Sequence, residues 1–93
     1  MPKISKTKRS RISEQILIHL FSTAPESLFT SAIAKEIARD EEFTKLLLEE
    51  LETHKLVVRI KKGPQGQDYQ RWERWRMSQE AFEVYKNINS GNL

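Results

Sequence analysis

The chain of 93 residues contains no cysteine, which excludes disulfide stapling and thiolate metal ligation. No apolar run approaches the roughly 20 residues that span a bilayer, and the basic N-terminus has no apolar signal-peptide core behind it. These absences predict a protein of the cytoplasm, or of the host cytoplasm if it is viral. The lack of cysteine beside charge-rich helices is also compatible with a thermophilic archaeal source, or with a virus or plasmid of one.

Motifs for catalysis and metal binding are missing as well. His19 and His54 lie far apart, without a His-x-x-x-His spacing for a metal ion. Residues 63–66 lack the Gly-Lys-Ser/Thr ending of a phosphate-cradling loop, and no Gly-x-Ser-x-Gly is present. Glu49 and Glu50 are adjacent on a predicted helix, so their carboxylates diverge instead of converging on a substrate. The sequence therefore predicts no enzymatic activity, no cofactor, no metal ion and no small-molecule ligand.

Length and composition fit one folded domain, and the charge is unevenly distributed. The net charge is +3, but residues 1–11 carry five cations and no acid, and residues 12–54 carry three cations and nine acids. Residues 55–76 return to seven cations against two acids. Two basic blocks around an acidic middle indicate a polyanion partner that is contacted through the ends. The alternative is that both blocks are solvated and bind nothing.

Apolar spacing predicts two helices in the first part of the chain. The first starts at Ser10 or Ser13, and its apolar positions are Ile12, Ile16, Leu17, Leu20 and Phe21. A turn at residues 22–27 ends it, because Pro25 disfavours helix at the residue before it. The second helix covers residues 31–39, with Thr30 as its cap.

Two more helices are predicted further along. Asp40 caps a third helix, which has Glu41 and Glu42 in its first turn and runs to about His54. This helix is expected to bury some of its apolar residues Phe43, Leu47, Leu48 and Leu51. Of the three consecutive leucines Leu46, Leu47 and Leu48, at least one is expected on the surface. Ser78 caps the last helix, whose apolar stripe is Ala81, Phe82, Tyr85 and Ile88.

The strands are short. Residues 56–60 are rich in β-branched side chains, residues 63–68 form a Gly/Pro turn cluster, and residues 69–77 alternate between two faces. This pattern is typical of a β-hairpin, to which residues 28–29 could add one edge. The sequence thus predicts the α+β class, with a three-helix core, a β-hairpin and a C-terminal helix.

Three stretches resemble the winged helix-turn-helix family, especially small archaeal and bacterial regulators of the MarR-like and PadR-like kind. Thr30-Ser31-Ala32-Ile33-Ala34-Lys35-Glu36-Ile37-Ala38 is similar to the family's positioning helix. Leu48-x-x-Leu51-x-x-x-Lys55-Leu56-Val57 resembles the end of its recognition helix running into the first wing strand. Trp75-Arg76-Met77-Ser78-Gln79-Glu80-Ala81 resembles the segment that closes the wing. The resemblance covers roughly residues 12–88 and implies a sequence-specific regulator of transcription that binds double-stranded DNA.

Two departures from the family pattern bear on this interpretation. Residues 39–42 contain no glycine between the two central helices, so residues 31–54 could instead form one long helix. Glu41 and Glu42 stand where the recognition helix should enter the major groove, and there they would face phosphates. They could accept a hydrogen bond from a cytosine amino group, or they could serve only to cap the helix.

The resemblance implies contacts of the third helix in the major groove, and of the wing on the backbone or in the minor groove. The DNA-binding residues predicted from it are Lys6, Lys8, Arg9, Arg11, Ser31, Thr44, Lys45, Lys61, Lys62, Gln65, Gln67 and Arg71. Thr44 and Lys45 are the base-edge candidates among them, with Leu46 available for a thymine methyl group.

The aromatic residues suggest further roles. Trp72 and Trp75 could stack on single strands, but we expect Trp75 in the core and Trp72 at an interface. Phe82, Tyr85 and Ile88 are predicted to form a homodimer interface, as terminal helices of this family often do. The alternative is that this stripe packs against the first helix of its own chain.

The predicted division of the chain is a flexible basic arm at residues 1–9, a winged-helix domain at residues 10–88 and a disordered tail at residues 89–93. A second function competes with DNA binding. The fold could instead serve protein contacts inside a larger replication, transcription or membrane-remodelling assembly. The acidic start of the third helix favours this alternative, and the basic arm and wing favour DNA.

Overall fold

The computed structural model of the protein describes residues 6–61 and 73–91. Its elements, in chain order, are α1 (Lys6–Thr23), β1 (Leu28–Phe29), α2 (Thr30–Glu36), α3 (Glu41–Thr53), β2 (Val57–Ile60), β3 (Arg74–Met77) and α4 (Gln79–Gly91). The predicted α+β class, with a three-helix core, an antiparallel strand pair and a C-terminal helix, is confirmed. We call the strand pair β2–β3 the wing.

The strands form one antiparallel sheet in the order β1-β3-β2, so β3 is central. Trp75 of β3 lies opposite Leu28 on one side and Arg59 on the other. The edge strand predicted next to the hairpin is therefore confirmed, and it pairs with the second strand of the wing. The turn cluster predicted at residues 63–68 lies outside the described residues.

The core lies between α1, α2, α3 and the sheet. Its largest fully buried apolar side chains are Trp75, Ile16, Leu20, Ile33, Leu47 and Leu48. Buried positions on α3 recur with helical spacing, which leaves Leu46 outside with 53% of its surface exposed. The prediction that one of the three consecutive leucines faces solvent is confirmed.

The chain reverses after α2 without a glycine. Ala38 adopts a left-handed conformation with φ 56°, and its N–H donates to the carbonyl of Lys35. The N–H of Arg39 donates to the carbonyl of Ala34. These two bonds form a Schellman motif, which normally places glycine at the left-handed residue. The missing glycine is thus replaced by an alanine in the same conformation.

Asp40 starts α3 as predicted. Its carboxylate accepts hydrogen bonds from the N–H groups of Glu42 and Phe43, at 3.2 and 3.1 Å. A residue that caps a helix cannot at the same time lie in the interior of a longer one. The alternative of one continuous helix over residues 31–54 is therefore wrong.

The start of α1 differs from the prediction. α1 begins at Lys6 instead of at Ser10 or Ser13, so Lys6, Lys8 and Arg9 belong to a helix and not to a flexible arm of residues 1–9. Lysine and arginine favour helix, and an ion pair of Arg9 with Glu50 of α3 holds the first turns against the domain.

α2 is shorter than predicted and is capped differently. It spans Thr30–Glu36 instead of residues 31–39, because the left-handed Ala38 ends it early. Phe29 occupies the cap position, without a side-chain hydrogen bond. The predicted cap residue Thr30 lies inside the helix, and its hydroxyl is used in the core.

α4 is capped as predicted, since Oγ of Ser78 accepts a hydrogen bond from the N–H of Ala81 at 3.1 Å. The helix continues to Gly91, so residues 89–91 are helical and not part of a tail. No glycine or proline precedes Gly91 in this helix to stop it. Within the described parts of the chain, no helix combines the length and the apolar character that crossing a membrane requires.

Candidate nucleic-acid interface

The outward side of α3 lies between the start of α2 and the wing. Its solvent-facing side chains are Glu41, Glu42, Lys45, Leu46, Glu49, Glu50 and Thr53, of which Lys45 and Glu49 are partly covered. Lys45 is the one cation in the sequence of this helix. The surface predicted to read base edges is therefore acidic, with an apolar side chain near its centre.

Thr44 does not belong to this surface. Its side chain is fully buried, and its hydroxyl donates to the carbonyl oxygen of Asp40 at 2.8 Å. Thr44 precedes Leu47, Leu48 and Leu51 by three, four and seven residues, which places it on the same inner face of the helix. The prediction that Thr44 contacts a base is wrong, and this spacing in the sequence could have shown it.

Lys45 points toward the wing. Its Nζ lies 3.4 Å from Oε1 of Glu73, the residue that immediately precedes β3. Lys45 remains partly exposed, so it can still meet a ligand of α3. Glu41 and Glu42 are exposed at the N-terminal end of α3, where negative charge stabilises the helix.

Arg59 of β2 is the centre of an ion-pair cluster that the sequence analysis missed. Its Nη1 donates to Glu73 at 3.0 Å, and its Nη2 donates to Glu52 at 2.8 Å and to Glu49 at 3.3 Å. The guanidinium carbon lies 4.8 Å from the centre of the Trp75 ring. The sequence places Arg59 in the basic block of residues 55–76, but three of the protein's own carboxylates pair with it.

The electrostatics of Arg59 follow from this environment. Burial lowers the pKa of its guanidinium, but the hydrogen bonds and negative charges of Glu52 and Glu73 outweigh it, so the net pKa is raised. Glu49 and Glu52 are three residues apart on one side of α3. Glu73 stands two residues before Trp75, so the two side chains share one face of the strand pattern. These spacings were visible in the sequence, but their meeting at Arg59 depends on how α3 packs on the wing.

α1 carries four of the predicted basic contacts. Lys8 and Arg11 are exposed, and Arg9 pairs with Glu50 of α3. Lys6 opens the helix. Of the predicted wing contacts, Lys61 is exposed just after β2, while Lys62, Gln65, Gln67 and Arg71 lie outside the described residues, as does Trp72. Ser31 is exposed in the first turn of α2.

The predicted dimer stripe divides into two parts. The rings of Phe82 and Tyr85 lie 5.3 and 5.7 Å from the ring of Phe21 in α1, so they pack within their own chain. This is the alternative stated above for these two residues. Ile88 is 54% exposed, and Val84, one turn earlier, is 55% exposed.

Burial, followed by the charge of Glu14, raises the pKa of Tyr85.

The structure is similar to solved winged-helix proteins. S. aureus MepR in complex with DNA superposes with a TM-score of 0.71 at 22% identity, over 85% of this chain and 60% of MepR. AF1382 from Archaeoglobus fulgidus gives 0.66 at 17%, over 86% of this chain and 82% of its own. The PcaV transcriptional regulator from Streptomyces coelicolor, solved with its natural ligand, gives 0.65 at 16%, over 94% and 57%.

These proteins are winged-helix transcriptional regulators of the MarR family, and the likeness establishes that this chain has the winged-helix fold. The resemblance stated from the sequence is confirmed at that level. The chain spans little more than half the length of several of them, 60% for MepR and 57% for PcaV. No protein-family model and no curated protein matches the chain.

Proposed function

We propose that this chain binds double-stranded DNA and regulates transcription, with α3 at the major groove and the wing on the backbone or in the minor groove. The observation that carries the proposal is the arrangement of α2, α3 and the wing, in which the Ala38 turn and the Asp40 cap separate two short helices beside a strand pair. The same fold in MepR has been solved with DNA.

The contacts divide by element. On α3, Lys45 and Leu46 are the base-edge candidates, since a lysine can donate to guanine and an apolar side chain can contact a thymine methyl group. Glu42 can accept from a cytosine amino group at the same surface. The remaining proposed contacts go to the sugar–phosphate backbone or the minor groove, and they are Lys6, Lys8, Arg9, Arg11, Ser31, Lys61, Lys62, Gln65, Gln67 and Arg71.

We further propose a homodimer through α4. Val84 and Ile88 form an exposed apolar pair one helical turn apart, and Phe82 and Tyr85 support α4 from its inner side by packing on Phe21. A two-fold axis at this pair would present two copies of α3 to paired half-sites in DNA. Sedimentation of the variant Val84→Glu/Ile88→Glu should show a monomer where the wild-type chain sediments as a dimer.

The proposal is tested by fluorescence anisotropy with a labelled random duplex, titrated between about 50 and about 200 mM salt. A dimer with about three phosphate contacts per subunit should give a slope of about −5 on a log–log plot of affinity against salt. The variant Lys86→Ala, which removes one cation from α4, serves as the control and should leave the slope unchanged. Absence of binding below about 100 μM at low salt would contradict the proposal.

A protein-interaction role is the second candidate, and the surface of α3 favours it. Leu46 is exposed, with Glu42 one helical turn before it and Glu49 and Glu50 one turn after it, so α3 offers an apolar anchor beside which carboxylates outnumber the single cation Lys45. Heteronuclear NMR with a duplex separates the two roles. Shifts at Lys45, Leu46 and Lys61 support DNA binding, whereas a duplex that leaves α3 unshifted favours a protein partner.

A further inference from the structure

The cluster around Arg59 joins the wing to α3 at the point where the two elements would contact a common partner. Arg59 lies on β2, Glu73 immediately precedes β3, and Glu49 and Glu52 lie on the C-terminal half of α3. One guanidinium thus bridges α3 and both sides of the wing. Nη1 and Nη2 are separate donors in a rigid fork, so the bridge fixes an orientation as well as a distance.

Because the Arg59–Glu73 ion pair is largely buried, breaking it requires a large free energy. The Glu73 side chain is 6% exposed and that of Arg59 is 15% exposed. Glu73 uses one oxygen for Arg59 and the other for Lys45, so both carboxylate oxygens are engaged. Removal of Arg59 leaves the buried Glu73 with Lys45 alone, and removal of Glu73 leaves Arg59 with only the more exposed Glu49 and Glu52. Either change weakens the compensation of a buried charge and destabilises that local arrangement.

The cluster also extends to the start of α2. Arg59 lies over the ring of Trp75, and the indole N–H of Trp75 bonds to Thr30 at 2.8 Å. A continuous series of contacts therefore connects α2, the wing and α3. Lys61 is exposed directly after the end of β2, two residues after Arg59.

We propose that Arg59 and Glu73 are positioning residues, which set the wing at a fixed angle to α3 so that Lys61 and Lys45 meet the same duplex. Arg59 itself does not contact DNA. This proposal rests on the proposed function, because it specifies how the DNA-binding surface is held. Arg59, whose side chain is 15% exposed, thus acts on DNA binding through other residues.

The direction in which Glu73→Gln changes the affinity for DNA distinguishes this positioning role from a direct contact. Glu73→Gln removes a buried negative charge beside the proposed DNA-binding surface, frees Lys45 and leaves Arg59 with Glu49 and Glu52. If Arg59 or Lys45 were merely restrained by Glu73 from binding phosphate, affinity for DNA would rise. If Glu73 positions the wing, affinity falls although the protein has become more positive.

The experiment compares the full-length wild-type chain with Glu73→Gln, Arg59→Met, Arg59→Lys and the double variant Glu73→Gln/Arg59→Met. The probe is a labelled random duplex at several salt concentrations. We expect each single variant to bind about five- to tenfold more weakly, with the double variant no weaker than the weaker single one, because both changes break the same bridge. Arg59→Lys should resemble Arg59→Met, since lysine keeps the charge but not the fork.

Ile16→Val is the control for stability, because it removes one methyl group from a buried core position in α1 that is not part of the cluster. It should bind DNA like the wild type at a temperature well below its unfolding transition. Tighter or unchanged binding by Glu73→Gln, or multiplicative effects in the double variant, overturns the positioning role.

Failure of the proposed function is recognised separately. If the wild-type chain binds no duplex, DNA binding is rejected, and ¹⁵N relaxation of the amides of Arg59, Ile60 and Lys61 then decides the positioning role. Increased mobility of these amides in Glu73→Gln, but not in Ile16→Val, supports the bridge between the wing and α3. Unchanged relaxation overturns it.

Discussion

Trp75 donates a hydrogen bond of 2.8 Å from its indole Nε1 to Oγ1 of Thr30, across 45 positions of the chain. Both side chains are buried. The bond connects the central strand of the sheet to the first residue of α2. It also explains why Thr30 does not cap α2, because the oxygen that would accept from the helix backbone is directed into the core and accepts from Trp75.

Thr30→Val should destabilise the protein by about 1–3 kcal/mol, since the indole N–H of Trp75 would be left buried without an acceptor. Thr30→Ser keeps the hydroxyl and should recover most of this loss. Urea unfolding followed by tryptophan fluorescence measures both variants. Equal stability of the valine and serine variants would show that the hydrogen bond contributes nothing.

Ala38→Gly should stabilise the protein by about 0.5–1 kcal/mol. Alanine in the left-handed region costs roughly 1–2 kcal/mol, and glycine relieves this cost while losing part of the gain to its greater freedom in the unfolded chain. Ala38 is exposed, so little packing is lost. The matched control is Ala32→Gly, at an exposed helical position of α2, which should destabilise by roughly 0.5–1 kcal/mol. The same sign for both variants in thermal unfolding contradicts the assignment of Ala38 to the turn.

Tyr85 should make stability fall at alkaline pH. Burial and then Glu14 raise its pKa above the ordinary value of 10.0, so folding favours the neutral phenol. The resulting stability is fully present below pH 10 and is lost as pH rises through the raised folded-state pKa. The wild-type chain should therefore lose more stability than Tyr85→Phe between about pH 9 and about pH 12. Denaturation curves for the two proteins at several pH values measure the difference, and parallel losses would refute it.

Lys61→Ala/Lys62→Ala should weaken binding to a random duplex. It should also make the log–log salt slope shallower by about three to four, because the proposed dimer loses four phosphate contacts and each contributes about 0.9 to the slope. The binding isotherms are measured beside those of Lys86→Ala, which carries one fewer cation on α4. A slope that stays at the wild-type value removes these two lysines from the DNA-binding surface.

Much of the fold could be predicted because local patterns already require it. Alternation in residues 69–77 and the β-branched residues within 56–60 favour strands, and Asp40 and Ser78 provide caps whose hydrogen bonds the structure contains. The early start of α1 was missed, because the pairing of Arg9 with Glu50 is a contact between distant parts of the chain.

The candidate site was less predictable, because its residues act through tertiary contacts. The position of Thr44 near the start of α3 predicts a contact with DNA. Its helical spacing from Leu47, Leu48 and Leu51 instead places it on the buried face of α3. The assignments of Lys61, Lys62 and Arg71 remain predictions. The division into residues 1–9, 10–88 and 89–93 also remains a prediction as a statement about domains, although the helical boundaries at Lys6 and Gly91 differ from it.

By itself, the sequence determined the order and kind of the elements, since capping and apolar periodicity are local properties of a few neighbouring residues. Only the tertiary structure decided the partners of the charged residues. Arg59 and Glu73 lie 14 positions apart, and Arg59 and Glu49 lie 10 apart, so their pairing depends on how α3 packs against the wing. That packing decides whether a cation pairs with the protein's own carboxylates or remains available to a ligand, and the amino-acid composition alone does not predict it.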